Sequence, residues 1–338
     1  MLSATQAFPA ASKPGCFHGV NLSGAEFGKA GGIYGKDYTY PSDRTVAYFA
    51  KKGFNTVRLP FLWERLQPRL GEAFDKAEAA RLADAVSRLR AAGLHVVLDP
   101  HNYARYRDAV LGSDDLPDAA FADLWGRLAV LYGKDAAVAF GLMNEPHDLD
   151  VRQWLSSANA AIAAIRKAGA RNLVLVPGTN WTGAHSWEST DAANANASIM
   201  LGVQDPANNY AYEVHQYLDG NFSGTHATCE RADDAVEALQ RFTQWLRDNG
   251  KRGFLGEFGG GGDANCAKGI TGMVEVMEKN RDVWTGWAYW AAGDWWPESE
   301  PLNIQPVKGR DRPQLKALSR SGALFGGAGK CPALENGG

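Results

Sequence analysis

The chain has 338 residues, 45% of them hydrophobic, and carries a formal net charge of −3 at pH 7. This charge disfavours the strongly basic surface by which proteins bind nucleic acid, and no apolar run approaches the ~20 residues that a membrane-spanning helix requires. We therefore expect a folded protein with a large core that binds neither nucleic acid nor a membrane.

Eight short apolar runs, each closed by polar or small residues, are the candidate strands. They lie at residues 17–24, 55–61, 95–103, 138–146, 173–181, 210–217, 253–260 and 284–296. Segments with helical periodicity separate several of them, and each ends in the glycine expected just past a helix C-terminus; these segments are 41–53, 75–93, 151–169 and 231–250.

Nearly continuous apolar strands that alternate with amphipathic helices indicate a parallel sheet covered by helices, and eight such units close into a barrel. The prediction is an α/β protein with a single (β/α)8 TIM barrel at residues 16–325, an N-terminal extension at 1–15 and a C-terminal tail at 326–338. Two loops, 25–43 and 183–209, are long for this fold and rich in aromatic and polar residues. Such loops are usually functional or disordered, and we expect both to flank a binding surface.

Polar residues stand where successive apolar runs stop, which is where a barrel of this type carries its chemistry. The fourth run breaks directly into Asn144 and Glu145, and Glu257 lies in the seventh. Two carboxyl groups across a cleft are the apparatus of glycoside hydrolysis, in which one protonates the leaving oxygen while the other attacks the anomeric carbon or activates water. The neighbouring polar residues can keep one glutamate ionised and the other protonated; they are Arg58, His101, Asn144, His215 and Tyr217.

Eleven Trp and eleven Tyr are many for a chain of this length. Flat aromatic faces suit the apolar faces of pyranose rings, so a string of tryptophans near strand ends predicts a cleft for a polymer. The tryptophans in question are Trp63, Trp181, Trp187, Trp290, Trp295 and Trp296.

Each of these residues also has a purely structural explanation. Glu257 alone could cap a helix, and His101 and His215 could be core histidines. For Trp295 and Trp296 a packed core pair is as good an explanation as sugar stacking. None of these explanations accounts for polar residues at the ends of so many successive apolar runs.

The motifs, taken in chain order, resemble those of family 5 glycoside hydrolases, in particular the endo-β-1,4-glucanases of the branch that includes many fungal cellulases and bacterial relatives. The resemblance runs from about Cys16 to Pro301 and rests on NLSGAEFG, NTVRLPFLWERLQP, DPHNY, GLMNEPH, VHQYLD, SGTHATC, GEFGGG and GWAYWAAGDWW. It implies a retaining double displacement with Glu257 as nucleophile and Glu145 as acid/base. Retention requires carboxyl groups ~5 to 5.5 Å apart, against ~6.5 to 9.5 Å for inversion.

The resemblance also implies roles for the residues around the two glutamates. Tyr217 and Arg58 are expected to stabilise the Glu257 carboxylate, and Asn144 is expected to bind the sugar 2-hydroxyl. The other members of the implied active-site set are His101 and His215.

Substrate-binding residues are implied as well. Trp290 is expected to form the floor of the subsite beside the scissile bond and to have a cis peptide bond to Ala291. Trp181 is expected to be a platform on the leaving-group side. The remaining candidates for substrate contact are Asn102, Trp295 and Trp296.

The four cysteines have neither CxxC spacing nor a companion histidine at ligand intervals, which disfavours a structural metal site. The residues alone leave three pairings open. By resemblance to segments that relatives join, Cys229 is expected to pair with Cys266. Cys16 and Cys331 could pair as well, because a barrel brings the two ends of the chain near each other. Disulfides indicate an oxidising compartment, and the first 15 residues lack the layout of a secretory signal. We therefore expect a secreted or periplasmic protein whose signal has been removed.

We expect a monomer without cofactor or metal that acts on a β-glucan polysaccharide, either cellulose or a soluble or mixed-linkage glucan. A β-mannanase, a xylanase or a xyloglucanase is the alternative on the same barrel, because loop contacts decide among these substrates. Two alternatives come from other classes. One is a non-catalytic carbohydrate-binding barrel, which would not need both glutamates. The other is a metal-dependent hydrolase with His101, His215 and nearby carboxylates as ligands.

Overall fold

The computed structural model of the protein describes residues 15–189, 191, 193–320, 324 and 330–335. Within these residues eight parallel strands form a closed barrel in which each strand pairs with its neighbours in the chain and the last pairs with the first. The predicted (β/α)8 barrel and all eight predicted strands are confirmed. The strands are β1 Phe17–Leu22, β2 Thr56–Phe61, β3 His95–Pro100, β4 Val138–Gly141, β5 Val174–Pro177, β6 Tyr210–His215, β7 Gly253–Glu257 and β8 Trp284–Ala292.

One principal helix follows each strand, and the four predicted helices are among them. Asp75 and Asp150 accept backbone N–H groups at the N-termini of two of these helices, and Gly93 and Gly169 follow the same two helices with φ of 81° and 83°. The helices are α1 Asp43–Lys51, α2 Lys76–Ala91, α3 Asp118–Tyr132, α4 Val151–Lys167, α5 Asn196–Ile199, α6 Ala232–Asp248, α7 Ala264–Lys279 and α8 Pro313–Ser319.

The barrel interior is apolar near the amino ends of the strands, which we call the base. Val97, Ala139 and Ala211 belong to one buried cluster there. Because side chains of a strand alternate between its two faces, Asp99 and Glu213 also point inward, two residues nearer the carboxyl ends, which we call the rim. Arg58 pairs in register with Val97, so it points inward as well. The strand pattern therefore places a set of charges inside the barrel below the rim.

Two disulfide bonds are formed: Cys229 with Cys266, as predicted, and Cys16 with Cys331, a pairing that the sequence left open. The second bond holds the short helix Pro332–Glu335 at the base, where Ala333 is buried. The predicted N-terminal extension lies outside the described residues except for residue 15, and residues 326–329 and 336–338 of the predicted tail lie outside them as well.

The long loop between β5 and β6 contains single turns of 3-10 helix at Asn180–Thr182, Ala184–Ser186 and Met200–Gly202 in addition to α5. Another short α-helix, Trp63–Leu66, follows β2. After β3, a short hairpin pairs Arg105–Tyr106 with Ala109–Val110. None of the described helices has the combination of length and apolar character needed to cross a membrane.

Candidate active site

Arg58 is the centre of the charged network inside the barrel. Its side chain is fully buried. It donates hydrogen bonds to Glu257 Oε1 at 2.8 Å and to Glu213 Oε1 at 3.0 Å, and it lies 3.0 Å from Asp99 Oδ2. Burial disfavours the positive charge, but these three carboxylates outweigh burial and raise the pKa of Arg58. The guanidinium therefore stays charged in the barrel interior and fixes the orientation of Glu257.

Glu257 ends β7 and is held from three sides. Besides the bond from Arg58, the Tyr217 hydroxyl donates to Glu257 Oε2 at 2.7 Å, and His215 Nδ1 lies 3.6 Å from the same oxygen. Burial raises the pKa of the Glu257 carboxyl, and the charges of His215 and Arg58 oppose this rise. All three contacts favour the ionised carboxylate, which is the form that can act as a nucleophile.

Glu145 stands just past β4 with a left-handed backbone, φ 39°, a conformation uncommon for a residue other than glycine. Its Oε1 lies 2.7 Å from His215 Nδ1. Burial lowers the pKa of His215, but the carboxylates of Glu257, Glu145 and Glu213 outweigh burial and raise it to about 10. His215 is therefore an imidazolium at neutral pH, and it connects the two rim glutamates.

The two rim glutamates are close together. One oxygen of Glu145, one oxygen of Glu257 and one ring nitrogen of His215 all lie within 4.8 Å of one another. One oxygen of each carboxyl group is therefore at most 4.8 Å from the other, which fits the ~5 to 5.5 Å of retaining glycosidases better than the ~6.5 to 9.5 Å of inverting ones. A metal ion fits this set poorly, because the positive charge of the Arg58 guanidinium already lies 2.8 Å from the Glu257 carboxylate.

His101 and Trp290 form the wall beside Glu257. His101 Nδ1 bonds to Asp99 Oδ2 at 2.8 Å. Burial lowers the pKa of His101, and the Asp99 carboxylate outweighs this and raises it. The Trp290 ring stacks on His101 at a centroid distance of 5.4 Å and an interplanar angle of 16°. The peptide bond between Trp290 and Ala291 is cis, as the sequence comparison with the family led us to expect.

Two asparagines predicted at the site have different surroundings. Asn144 accepts a hydrogen bond from Arg58 Nη2 at 2.9 Å, while its buried Nδ2 has no hydrogen-bond partner among the described residues. Asn102 has both ends of its amide engaged, with Trp63 N at 2.8 Å and Glu64 Oε2 at 2.6 Å. Asn144 is thus the residue with a donor left over for a ligand, and Asn102 connects the loops that follow β2 and β3.

Two cavities adjoin the carboxylate pair. The first, of about 500 Å³, contains Glu145, His215 and Tyr217, and we call it the Glu145 cavity. The second, of about 450 Å³, is lined by His101 and Trp290, among others, and we call it the Trp290 cavity. Tyr103 lines both cavities, so together they give an extended cleft, which suits a chain-like substrate.

Trp181 is a wall of the Glu145 cavity and is 50% exposed. Its ring stacks on His147 at 4.5 Å with an interplanar angle of 11°. Three successive residues there, Asn180, Trp181 and Thr182, have positive φ. The exposed face of Trp181 is therefore available to a ligand in the Glu145 cavity.

The other tryptophans divide into core and surface. Trp63 and Trp187 are fully buried, so their predicted place in the cleft is wrong; each packs edge-on against neighbouring aromatic rings, such as those of Tyr106 and Tyr212. Trp296 packs edge-on against Trp290 at 5.8 Å. Trp295 is 38% exposed. Trp295 and Trp296 therefore do not form a packed core pair, which was the structural alternative to sugar stacking.

Several residues of the site do not stand out in the sequence. Asn21, Asp99 and Glu213 all contact Arg58 inside the barrel, yet they lie within strands instead of after them. Alternation along the strand is the signal that could have found them, because a buried arginine at one inward position requires acidic groups at neighbouring inward positions. Tyr103 lines both cavities and directly follows the DPHN motif, but the pattern of polar residues at strand ends does not distinguish it.

Comparisons with known proteins agree with this geometry. The family model described as Cellulase (glycosyl hydrolase family 5) matches residues 11–293. An endo-β-1,4-glucanase B of Emericella nidulans is 37% identical over 296 residues, which are 87% of each chain. A crystal structure of an endo-β-1,4-glucanase from Xanthomonas axonopodis pv. citri is 50% identical, with a TM-score of 0.89 over 92% of this chain and 100% of that chain.

A structure of XacCel5A in complex with cellopentaose is similarly close, with 49% identity and a TM-score of 0.88 over 90% of this chain and 98% of that chain. The family model covers far more than half of the chain, and the relatives are matched over most of their length. The protein therefore belongs to the cellulase family, glycosyl hydrolase family 5, and is a glycoside hydrolase built on a (β/α)8 barrel.

Proposed function

We propose that the protein is a retaining endo-β-1,4-glucanase in which Glu257 is the nucleophile and Glu145 the acid/base. The observation that carries this assignment is the pair of carboxylates within 4.8 Å of each other but in different surroundings. Arg58 and Tyr217 both donate to Glu257, whereas neither bonds to Glu145. The two glutamates can therefore take the two roles that the mechanism requires. Glu257 is the ionised carboxylate, and Glu145 is the group that exchanges a proton.

In the first step, a Glu257 oxygen attacks the anomeric carbon while Glu145 protonates the glycosidic oxygen, and the bond between that carbon and oxygen breaks. The products are a covalent glycosyl-enzyme and a shortened chain that leaves with the proton. Glu145 suits this role because Oε1 faces His215, while Oε2 has no hydrogen-bond partner among the described residues. The resulting Glu145 carboxylate is then stabilised by the imidazolium of His215.

In the second step, Glu145 removes a proton from a water molecule, which attacks the anomeric carbon and releases Glu257 as a carboxylate. Two inversions at the same carbon give net retention. Arg58 and Tyr217 stabilise Glu257 as the leaving group by their hydrogen bonds. The unpartnered Nδ2 of Asn144 supplies a donor for the sugar 2-hydroxyl, a contact that strengthens in the transition state.

Cleavage within a chain requires sugar rings on both sides of the scissile bond. Trp290 supports the ring that becomes attached to Glu257, and Trp181 supports the leaving chain. The two cavities of about 450 and 500 Å³ provide space for both. The names of the relatives, endo-β-1,4-glucanases, and the complex of XacCel5A with cellopentaose support a β-1,4-linked glucan as substrate.

We further propose that the protein acts outside the reducing cytosol as a monomer. Both disulfide bonds fit an oxidising compartment. An enzyme that degrades a polymer must also reach that polymer outside the cell. One chain supplies both carboxylates and both cavities, so a second copy is not required for the chemistry. The catalytic barrel is proposed to occupy residues 16–325, as the sequence predicts.

Replacing each glutamate with alanine and adding azide tests the two roles. We expect both Glu145→Ala and Glu257→Ala to lower kcat on carboxymethyl cellulose by at least about 10³-fold. Azide that attacks in place of the missing nucleophile in Glu257→Ala yields an α-glycosyl azide. In Glu145→Ala, azide attacks the glycosyl-enzyme and yields the β-glycosyl azide.

Glu237→Ala is the matched control, because Glu237 is an exposed residue of α6, and its kcat should stay within about two-fold of wild type. Azide products of the opposite configurations would show that the two roles are exchanged. Full activity in either active-site variant would refute the assignment, and loss of wild-type activity on adding EDTA would favour metal-dependent hydrolysis instead.

A comparison of substrates decides among the alternatives on the same barrel. We expect faster release of reducing ends from carboxymethyl cellulose and mixed-linkage β-glucan than from mannan, xylan or xyloglucan. A higher kcat/KM on one of the latter would replace glucan in the proposal while leaving the two glutamates in their roles.

A further inference from the structure

Tyr103 lies at the junction of the two halves of the cleft. It is a lining residue of both the Glu145 cavity and the Trp290 cavity. Its ring packs edge-on against His101 at 5.4 Å, on the Trp290 side, and against His147 at 5.8 Å, on the Trp181 side. A sugar chain that passes from one cavity to the other must therefore pass Tyr103.

The backbone at this point is strained. Tyr103 has a φ of 56° and Ala104 a φ of 58°, a left-handed conformation that is unfavourable for residues with a side chain. The turn is fixed by its surroundings, since Arg105 Nη1 donates to Tyr103 O at 2.7 Å and Leu111 N donates to Ala104 O at 2.9 Å. Strain that the surrounding structure maintains is typical of functional sites, and here it projects a tyrosine into the cleft.

The Tyr103 hydroxyl is available to a ligand. It has no hydrogen-bond partner in the described part of the chain, and the residue is 37% exposed. Burial raises the pKa of Tyr103, and the negative charges of Glu145 and Glu257 raise it further. The phenol therefore keeps its proton and can act as a hydrogen-bond donor beside the acid/base.

We propose that Tyr103 is a substrate-binding residue whose hydroxyl donates a hydrogen bond to the sugar on the leaving-group side of the scissile bond. This inference rests on the proposed function. Of the two cavities that Tyr103 lines, only one also contains Glu145. Because Glu145 is the proposed acid/base and must face the leaving oxygen, we assign the Tyr103 hydroxyl to the leaving-group side. Through this bond Tyr103 aligns the leaving oxygen with Glu145.

The test compares two substrates that share the same cellobiosyl unit on the Glu257 side. Cellotetraose has a cellobiose leaving group, whereas 4-nitrophenyl β-cellobioside has an aryl leaving group without sugar hydroxyls. Removing the hydroxyl with Tyr103→Phe should lower kcat/KM for cellotetraose about 5-fold and leave kcat/KM for the aryl cellobioside within two-fold of wild type.

Tyr34→Phe is the matched control, since Tyr34 is an exposed tyrosine in the loop after β1 outside both cavities, and neither value should change. Melting temperatures of both variants should equal that of wild type, which establishes that the barrel is intact. Equal losses on both substrates would overturn the leaving-group assignment, and no loss on either would overturn substrate contact. A wild-type protein that cleaves neither substrate would refute the proposed function itself.

Discussion

The rim and the base of the barrel both contain buried arginines and cavities, but they use charge differently. At the base, Arg166 forms a two-pronged ion pair with Asp205, with N–O distances of 2.7 and 2.8 Å, so each carboxylate oxygen has its own donor. Near the rim, the single guanidinium of Arg58 serves Asp99, Glu213 and Glu257 together. The Arg166–Asp205 pair at the base is one to one, whereas the Arg58 guanidinium near the rim is shared by three carboxylates.

This difference separates a structural ion pair from a reactive one. The base also has a cavity of about 370 Å³, lined by residues such as Arg247 and Asp282, but these two bind each other at 2.8 Å. A cavity by itself therefore does not mark the active site. The rim differs because two carboxylates, Glu145 and Glu257, both contact the His215 imidazolium. When Glu145 gives up its proton, its negative charge is therefore already paired with a positive one.

The largest expected effect comes from replacing the two buried arginines with lysine. Arg58→Lys should lower kcat about 10³-fold, because lysine cannot reproduce the several directed hydrogen bonds that orient Glu257. It should also lower the free energy of unfolding by about 2 kcal/mol. Arg166→Lys should cause a similar loss of stability, because it also breaks a buried bidentate pair, but should leave kcat within about two-fold of wild type.

Both arginine variants are measured by urea unfolding and by initial rates on carboxymethyl cellulose. The comparison between rim and base fails if Arg166→Lys lowers kcat as much as Arg58→Lys. It also fails if Arg58→Lys retains wild-type activity.

A smaller effect is expected from the two tyrosine hydroxyls. The Tyr217 hydroxyl donates to Glu257 at 2.7 Å and favours the ionised carboxylate, so Tyr217→Phe raises the pKa of Glu257. The acid limb of kcat/KM against pH should move to higher pH by about one unit, and kcat should fall about 30-fold. At the base, Tyr210 accepts a bond from Lys251 at 2.9 Å, and Tyr210→Phe should leave the pH profile unchanged. An unshifted acid limb in Tyr217→Phe would show that this hydroxyl does not act through the protonation of Glu257.

The smallest effects concern stability, and their signs are opposite at the two ends. At the base, burial and the charge of Arg90 lower the pKa of His95 from 6.5 to about 4. Between pH 6.5 and pH 4 the unfolded chain therefore binds a proton at His95 that the folded chain does not bind, and stability falls as pH drops through this window. At the rim, the pKa of His215 is raised to about 10, so its stabilising contribution is complete below pH 6.5 and is lost as pH rises through 10.

Melting temperatures across the pH range check these signs. His95→Gln should flatten the decline between pH 6.5 and 4, and His215→Gln should flatten the decline between pH 6.5 and 10. If both substitutions altered the melting temperature only below pH 6.5, or both only above it, this result would contradict the opposite protonation of the two histidines.

The fold was predictable because strand and helix periodicities are local properties. The eight apolar runs and the glycines after four helices can be seen without any knowledge of the barrel, and the closed order follows from their number. The positions of Trp63 and Trp187 were not predictable, since both lie near strand ends but point toward aromatic partners in the core. The direction of a side chain in a loop depends on packing between elements that are distant in sequence.

The candidate site was predictable where it follows the strands and less so where it lies within them. Glu145, Glu257 and the residues of the HNY and HQY segments follow apolar runs and are conspicuous. Asp99 and Glu213 are single charges inside such runs, and their function as partners of Arg58 appears only when β2, β3 and β6 are placed around one axis. The strain at Tyr103 is a backbone property that residue identity does not reveal.

The bond between Cys16 and Cys331 makes the described barrel a covalent ring, since it encloses every strand and all eight principal helices. Exposed loop tips are where proteases cut most easily, and both long rim loops fall inside this ring. A single cut in either loop therefore produces two polypeptides but not two molecules. On electrophoresis such a nicked protein should run as fragments only after reduction, and in solution its severed ends remain tethered around the cleft.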